Sequence, residues 1–187
     1  SLAPEVFREV FGVAEGYLDL AVLDSTHPDA ILAKAHALDP AKTLFLPATK
    51  SGGTVETLSF LKYFYNKTAA IFSRETTGQH FAAITDPGSG LEDMADHLGF
   101  RHAFRNDPNI GGRYSALSFY GLVAAGAIGM DVDRLLDNAQ SALDRPDPGI
   151  QLGAFLGAGI ELGRDKLTLL VSPSLAAAGA WIEQLVA

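Results

Sequence analysis

The sequence predicts an α/β fold, a three-layer αβα sandwich around a mainly parallel sheet of about five strands. Three observations carry that expectation. Short runs that are apolar throughout fit strands buried on both faces. They alternate with longer segments of helical periodicity, and turn formers such as DPGSG punctuate the boundaries. With 187 residues and 48% hydrophobic content, the chain can bury one substantial core.

Taken in order, Val6, Phe7, Val10 and Phe11 recur at helical spacing behind Pro4, which a first helical turn tolerates. Leu18 to Leu23 reads as a short buried strand, and PDAILAKAHAL, 28–38, as a helix opened by Pro28. TLFLPA, 43–48, is the next strand, with Pro47 tolerable only near its end. Residues 54–72 place Leu58, Leu61, Tyr65 and Ile71 on one side of a long helix. FAAIT, 81–85, is a strand, LEDMADHLGF a helix and RHAFR, 101–105, a strand. Helices follow at 113–128, 131–143 and 150–163, then a strand at 166–172 and a helix in SLAAAGAWIEQLVA. The helix-only stretch interrupts the alternation, and DRPDPG, 144–149, is the best domain boundary.

A formal charge of −8, with 14 Lys and Arg scattered singly, argues against nucleic acid and anionic membrane as partners. No cysteine is present, so disulfides and thiolate metal sites are excluded, and a reducing cytoplasm fits. No apolar run approaches the roughly 20 residues of a membrane span. The first residues, SLAPEV, read as a helix cut from something longer.

The stretch ATKSGGTVET, 48–57, lies between a strand and a helix, beyond the carboxyl end of a parallel strand where α/β folds bind ligands. Gly52 and Gly53 allow backbone N–H groups close to an anion, and the helix start adds unpaired donors. Thr49, Ser51, Thr54 and Thr57 supply hydroxyls and Lys50 a cation, a set suited to phosphate. Neither a Walker loop nor a dinucleotide fingerprint is present. The competing reading is that Gly53 caps the helix and Glu56 completes a capping box. In NIGGRYSALSFYGL, 109–122, Gly111 and Gly112 precede Arg113 at the mouth of an apolar helix. An arginine is unfavourable at that end of the dipole, and its placement asks for an anionic partner. No histidine or acidic cluster shows compact metal-ligand spacing, so no metal is expected.

Together these motifs resemble the glucose-6-phosphate isomerase family: SGGTVET is similar to the phosphate loop of its sugar-isomerase (SIS) domains, and GGRYS to its GGR[FY]S signature. DPGSGLEDMADHLGFRHAF and VSPSLAAAGAWIEQL extend the resemblance over essentially the whole chain, with a bacterial flavour that includes forms fused to a transaldolase. The resemblance implies a flavodoxin-like SIS fold, with 1–145 as a first SIS domain lacking its opening strand. Residues 146–187 would then be a connecting helix with the first strand and helix of a second.

It also implies residue roles. Thr49, Lys50, Ser51, Thr54 and Thr57 hold the sugar phosphate, with Gly52 and Gly53 opening backbone donors. Arg113 stabilises an enediolate, Gly111 and Gly112 line the substrate, and Glu56 stands near the ring-opening machinery. The implied reaction interconverts glucose 6-phosphate and fructose 6-phosphate through a cis-enediol, without a cofactor, in a cytoplasmic enzyme that self-associates as a dimer.

The resemblance also places a substrate-contacting serine turn before Ser1, and the catalytic glutamate beyond Ala187, so the expectation is weak binding and poor turnover for this segment. Glu183 reads as a solvated helix charge. Residues 167–171 could fill the place of the missing opening strand. The alternative function is a non-catalytic SIS module that senses sugar phosphates, although no basic helix-turn-helix pattern accompanies it.

Overall fold

A computed structural model describes residues 2–186; Ser1 and Ala187, the outer limits of the two expected units, lie outside the described residues. In chain order the helices are α1 (Leu2–Phe11), α2 (Pro28–Ala37), α3 (Val55–Ala69), the short α4 (Arg74–Thr77) and α5 (Gly90–His97). They continue with α6 (Phe119–Ala127), α7 (Val132–Leu143), α8 (Asp147–Glu161) and α9 (Ala178–Val186). Two regular strands, β1 (Ala82–Thr85) and β2 (His102–Arg105), run parallel with Ala82 opposite His102 and Thr85 opposite Arg105.

A third extended segment flanks the other edge of β1, bridged in parallel at Phe45–Phe81 and Ala48–Ile84. Pro47 explains why it makes two bridges rather than a continuous ladder. Its carbonyl accepts from Ile84 N at 3.0 Å, but it has no N–H to return. The sheet is therefore smaller than the five strands expected. Residues 18–23 form no strand, because the chain there leans on a helix: Leu18 N donates to Ala127 O at 3.0 Å and Ala14 N to Ile128 O at 2.9 Å. Residues 166–172 also pair with no strand among the described residues, and Leu170 is 95% exposed. They do not fill an opening-strand position.

Helices cover both faces of this small sheet. On one face Phe81 and Ala83 join Ala35 of α2, Leu61 and Phe64 of α3, and Leu91 and Ala95 of α5. The register puts Phe104 of β2 on the opposite face, where its ring meets Phe119 of α6 at 5.6 Å. A second core forms where Ala3 and Phe7 of α1 meet Ala125 and Ile128 at the end of α6, with Ala116 between them and Trp181 of α9 packed alongside. The final helix thus returns to the first. α7, α8 and α9 contain no fully buried residue. Among the described residues no helix is long and apolar enough to cross a membrane.

Local chemistry sets the helix starts. Ser89 caps α5 by accepting from Glu92 N at 3.2 Å, and Glu92 reaches back to accept from Gly88 N at 2.5 Å. Asp131 caps α7 through Arg134 N at 2.9 Å. The helix expected over 113–128 splits into a 3₁₀ turn, Gly112–Leu117, and α6. Ser118 is extended between them, and Gly121 lies so close to Ala116 O that an added Cβ would sit 2.0 Å away.

Candidate functional site

Three loops leave the same end of the sheet: 49–54 after the bridged segment, 86–89 after β1 and 106–111 after β2. Backbone and side-chain bonds join them. Thr85 Oγ1 donates to Thr49 O at 2.7 Å and pairs with Ser89 Oγ at 2.6 Å. Asp86 N donates to Lys50 O at 3.3 Å, and Asn106 N to Thr85 O at 2.8 Å.

Backbone geometry shapes the glycine-threonine loop. Gly52 adopts φ +70°, and a Cβ there would meet Leu91 N at 2.6 Å and Gly90 N at 2.8 Å, so the loop is pressed onto the start of α5. Ser51 Oγ accepts from Gly53 N at 3.2 Å and shapes the bend. Thr49 is buried, and its hydroxyl pairs with that of Thr54 at 2.6 Å.

Thr54, not Gly53, is the N-cap of α3, yet its side chain makes no capping bond. Glu56, at the second helical position, closes no capping box. The first-turn N–H groups of α3 therefore have no side-chain partner at a helix end that carries partial positive charge. Thr57 is partly buried, while Gly53, Thr54 and Glu56 are exposed.

Lys50 has a different place from the other loop residues. Its ammonium lies 2.5 Å from Asp86 Oδ2 and donates to Pro108 O at 2.6 Å. One side chain thus connects the ends of all three loops. Beyond Pro108, Asp107 Oδ1 accepts from Asn109 N at 2.8 Å, and Tyr114 N donates to Gly111 O at 3.0 Å. Asn106, 2% exposed, accepts from Phe119 N at 3.1 Å and so joins the end of β2 to the start of α6.

Arg113 stands in the 3₁₀ turn between these anchors, exposed, as are Gly111 and Gly112. No hydrogen bond or ion pair among the described residues engages its guanidinium. Surface concavities of about 420 Å³ beside Arg145 and Pro148 and about 240 Å³ beside Arg8 and Asp19 lie elsewhere. The loop cluster is open, and its chemistry rather than its depth marks it.

Sequence reasoning missed Asp86, Asn106 and Tyr120. The available signal for Asp86 was its position, immediately after an apolar strand of a parallel sheet. Asp86 Oδ1 and Tyr120 Oη are buried without a hydrogen-bond partner. Burial, with the charge of Asp86 second, pushes the Tyr120 phenol well above its ordinary range.

Residues 1–146 match the model of the phosphoglucose isomerase family. A glucose-6-phosphate isomerase of Thermus thermophilus is 36% identical over 143 residues, covering 76% of this chain and 34% of that protein. That of a Cyanothece species is 31% identical over 201 residues, covering 100% of this chain and 37% of its relative. Among solved structures, a hypothetical protein from Thermus thermophilus superposes with a TM-score of 0.83 at 32% identity, over 99% of this chain and 45% of the other. A glucose-6-phosphate isomerase from Chlamydia trachomatis gives a TM-score of 0.56 at 25% identity, over 69% of this chain and 24% of the other. The chain spans about a third of the length of the curated relatives it matches. With the family model aligned across most of the sequence and both glycine-bearing loops at one end of the sheet, this chain belongs to the phosphoglucose isomerase family.

Proposed function

We propose that this chain is the sugar-phosphate-binding part of an aldose-ketose isomerase that interconverts glucose 6-phosphate and fructose 6-phosphate through a cis-enediol. The observation that carries the reading is the bond from Lys50 to Pro108 O, which joins the phosphate-type loop to the segment leading into GGR. The N–H groups at the start of α3, with the hydroxyls of Ser51, Thr54 and Thr57, receive the phosphate dianion. Thr49 acts through Thr54, whose hydroxyl it holds. Lys50 contributes its charge and the placement of its backbone, since Asp86 and Pro108 occupy its ammonium.

Isomerisation moves a proton between C2 and C1, and negative charge develops on the oxygens of both carbons. An arginine beside them stabilises that charge only if it is not already neutralised, and Arg113 is exposed and unpaired among the described residues. Gly111 and Gly112 keep the backbone open for the sugar carbons. Glu56, without a capping duty, is available near the ring-opening end. Binding energy from the distant phosphate orients the reacting carbons. In this reading residues 1–145 are the SIS domain and 146–187 lead into a second, a boundary that falls between α7 and α8.

Titration with fructose 6-phosphate, followed by backbone amide NMR, tests the reading. Signals of 49–57 and 111–114 are expected to move together, and Arg113→Ala to weaken fructose 6-phosphate binding by about tenfold, the loss of one charge-assisted contact. A response absent from 49–57 overturns the proposal.

A further inference from the structure

The Lys50–Asp86 pair is more than a neutralised charge at a loop. Asp86 is 14% exposed on its side chain, and it holds Lys50 through Oδ2 while Oδ1 has no partner. Tyr120 Oη, also buried and unpartnered, feels the Asp86 charge and lies on α6, which begins two residues after the 3₁₀ turn that carries Arg113. Lys50 in turn grips Pro108 O, five residues before Arg113. Asp86 therefore sits where displacement of the 49–54 loop would be transmitted, through Lys50 and Pro108 O, to the segment that leads into Arg113.

We propose that Asp86 is a positioning residue: through Lys50 and Pro108 O it couples capture of an anion by the 49–54 loop to the placement of Arg113. The inference rests on the phosphate-site reading above and adds a second-site consequence to it. Asp86 does not touch the substrate. It fixes the relation between two loops that do, because the ammonium it holds is the one that also bonds Pro108 O. Coupling of this kind needs a physical chain of contacts, and here the chain is Asp86, Lys50 and Pro108.

The test uses inorganic phosphate, which can fill the first loop but has no sugar carbons to touch Arg113. In the unmodified chain, phosphate is expected to shift the amide signals of 49–57 and also those of 110–114. In Asp86→Asn the first set still moves and the second falls silent. Phosphate affinity then stays within about twofold, whereas fructose 6-phosphate affinity drops by about tenfold, a usual size for coupling between sites. Lys50→Met should reproduce the silence at 110–114, and the double variant should be no worse than Asp86→Asn alone.

A merely structural role for Asp86 would lower the unfolding midpoint but leave phosphate moving both sets of signals in the folded protein. That result overturns the proposal, as does a Lys50→Met chain that keeps the response at 110–114. If phosphate moves 49–57 but never 110–114 in the unmodified chain, the coupling is wrong and the phosphate site stands. If it moves neither set, the site reading fails and the coupling with it.

Discussion

Gly52 shows how a single missing Cβ can hold a site in place. Its positive φ, and the 2.6 Å that would separate an added Cβ from Leu91 N, leave no room for any side chain, so Gly52→Ala forces the loop off α5. The expected cost is about 2 kcal/mol or more, read as a lower urea midpoint at unchanged slope. The neighbouring glycine is different. A Cβ added at Gly53 would meet only Ser51 Oγ, at an ordinary 3.8 Å, and the residue is exposed. The glycine bend between an extended segment and α3 was legible in the sequence because its residue types mark a tight turn into a helix. The commitment of Lys50 was not, because its partner Asp86 is distant in sequence and Pro108 contributes only a carbonyl that any residue would carry.

Among the elements, helices were easier to read than strands. α7 was legible nearly to the residue, since an N-capping Asp131 and a strong amphipathic pattern agree locally. The strands depend on partners that no local pattern specifies. Residues 18–23 and 166–172 are as apolar as β1, yet one lies against α6 and the other pairs with nothing among the described residues. Pro47 similarly thins a third strand into two bridges. At the start of α5, the capping arrangement carries a pH dependence. The Arg105 guanidinium, then the Gly88 N–H, holds the Glu92 carboxyl below its ordinary range. A depressed carboxyl stabilises the folded form above its unfolded value, and that contribution is lost as pH falls through the folded value. The protection of the Gly88, Glu92 and Asp93 amides relative to their intrinsic exchange rates should therefore fall below pH 4.5, the ordinary glutamate value. Glu92→Gln should exchange quickly at neutral pH and lose the acid step.

The molecule as a whole leaves apolar surface uncovered around α8. Ile150, Phe155, Ile160 and Leu162 are 64–77% exposed, a density that ordinary monomers rarely present to water. The chain is expected to self-associate, with Phe155→Glu weakening the association by about tenfold or more, as loss of one large buried side chain would. Sedimentation velocity across a concentration series distinguishes this from a monomer. The second core offers an optical handle. Trp181, the lone tryptophan of the chain, lies where α9 docks on α1, outside the sheet and its loops. Its emission thus reports the packing of the last helix on the second core, so a dye-free fluorescence trace and a sheet-sensitive probe can reveal whether the two cores melt as one unit.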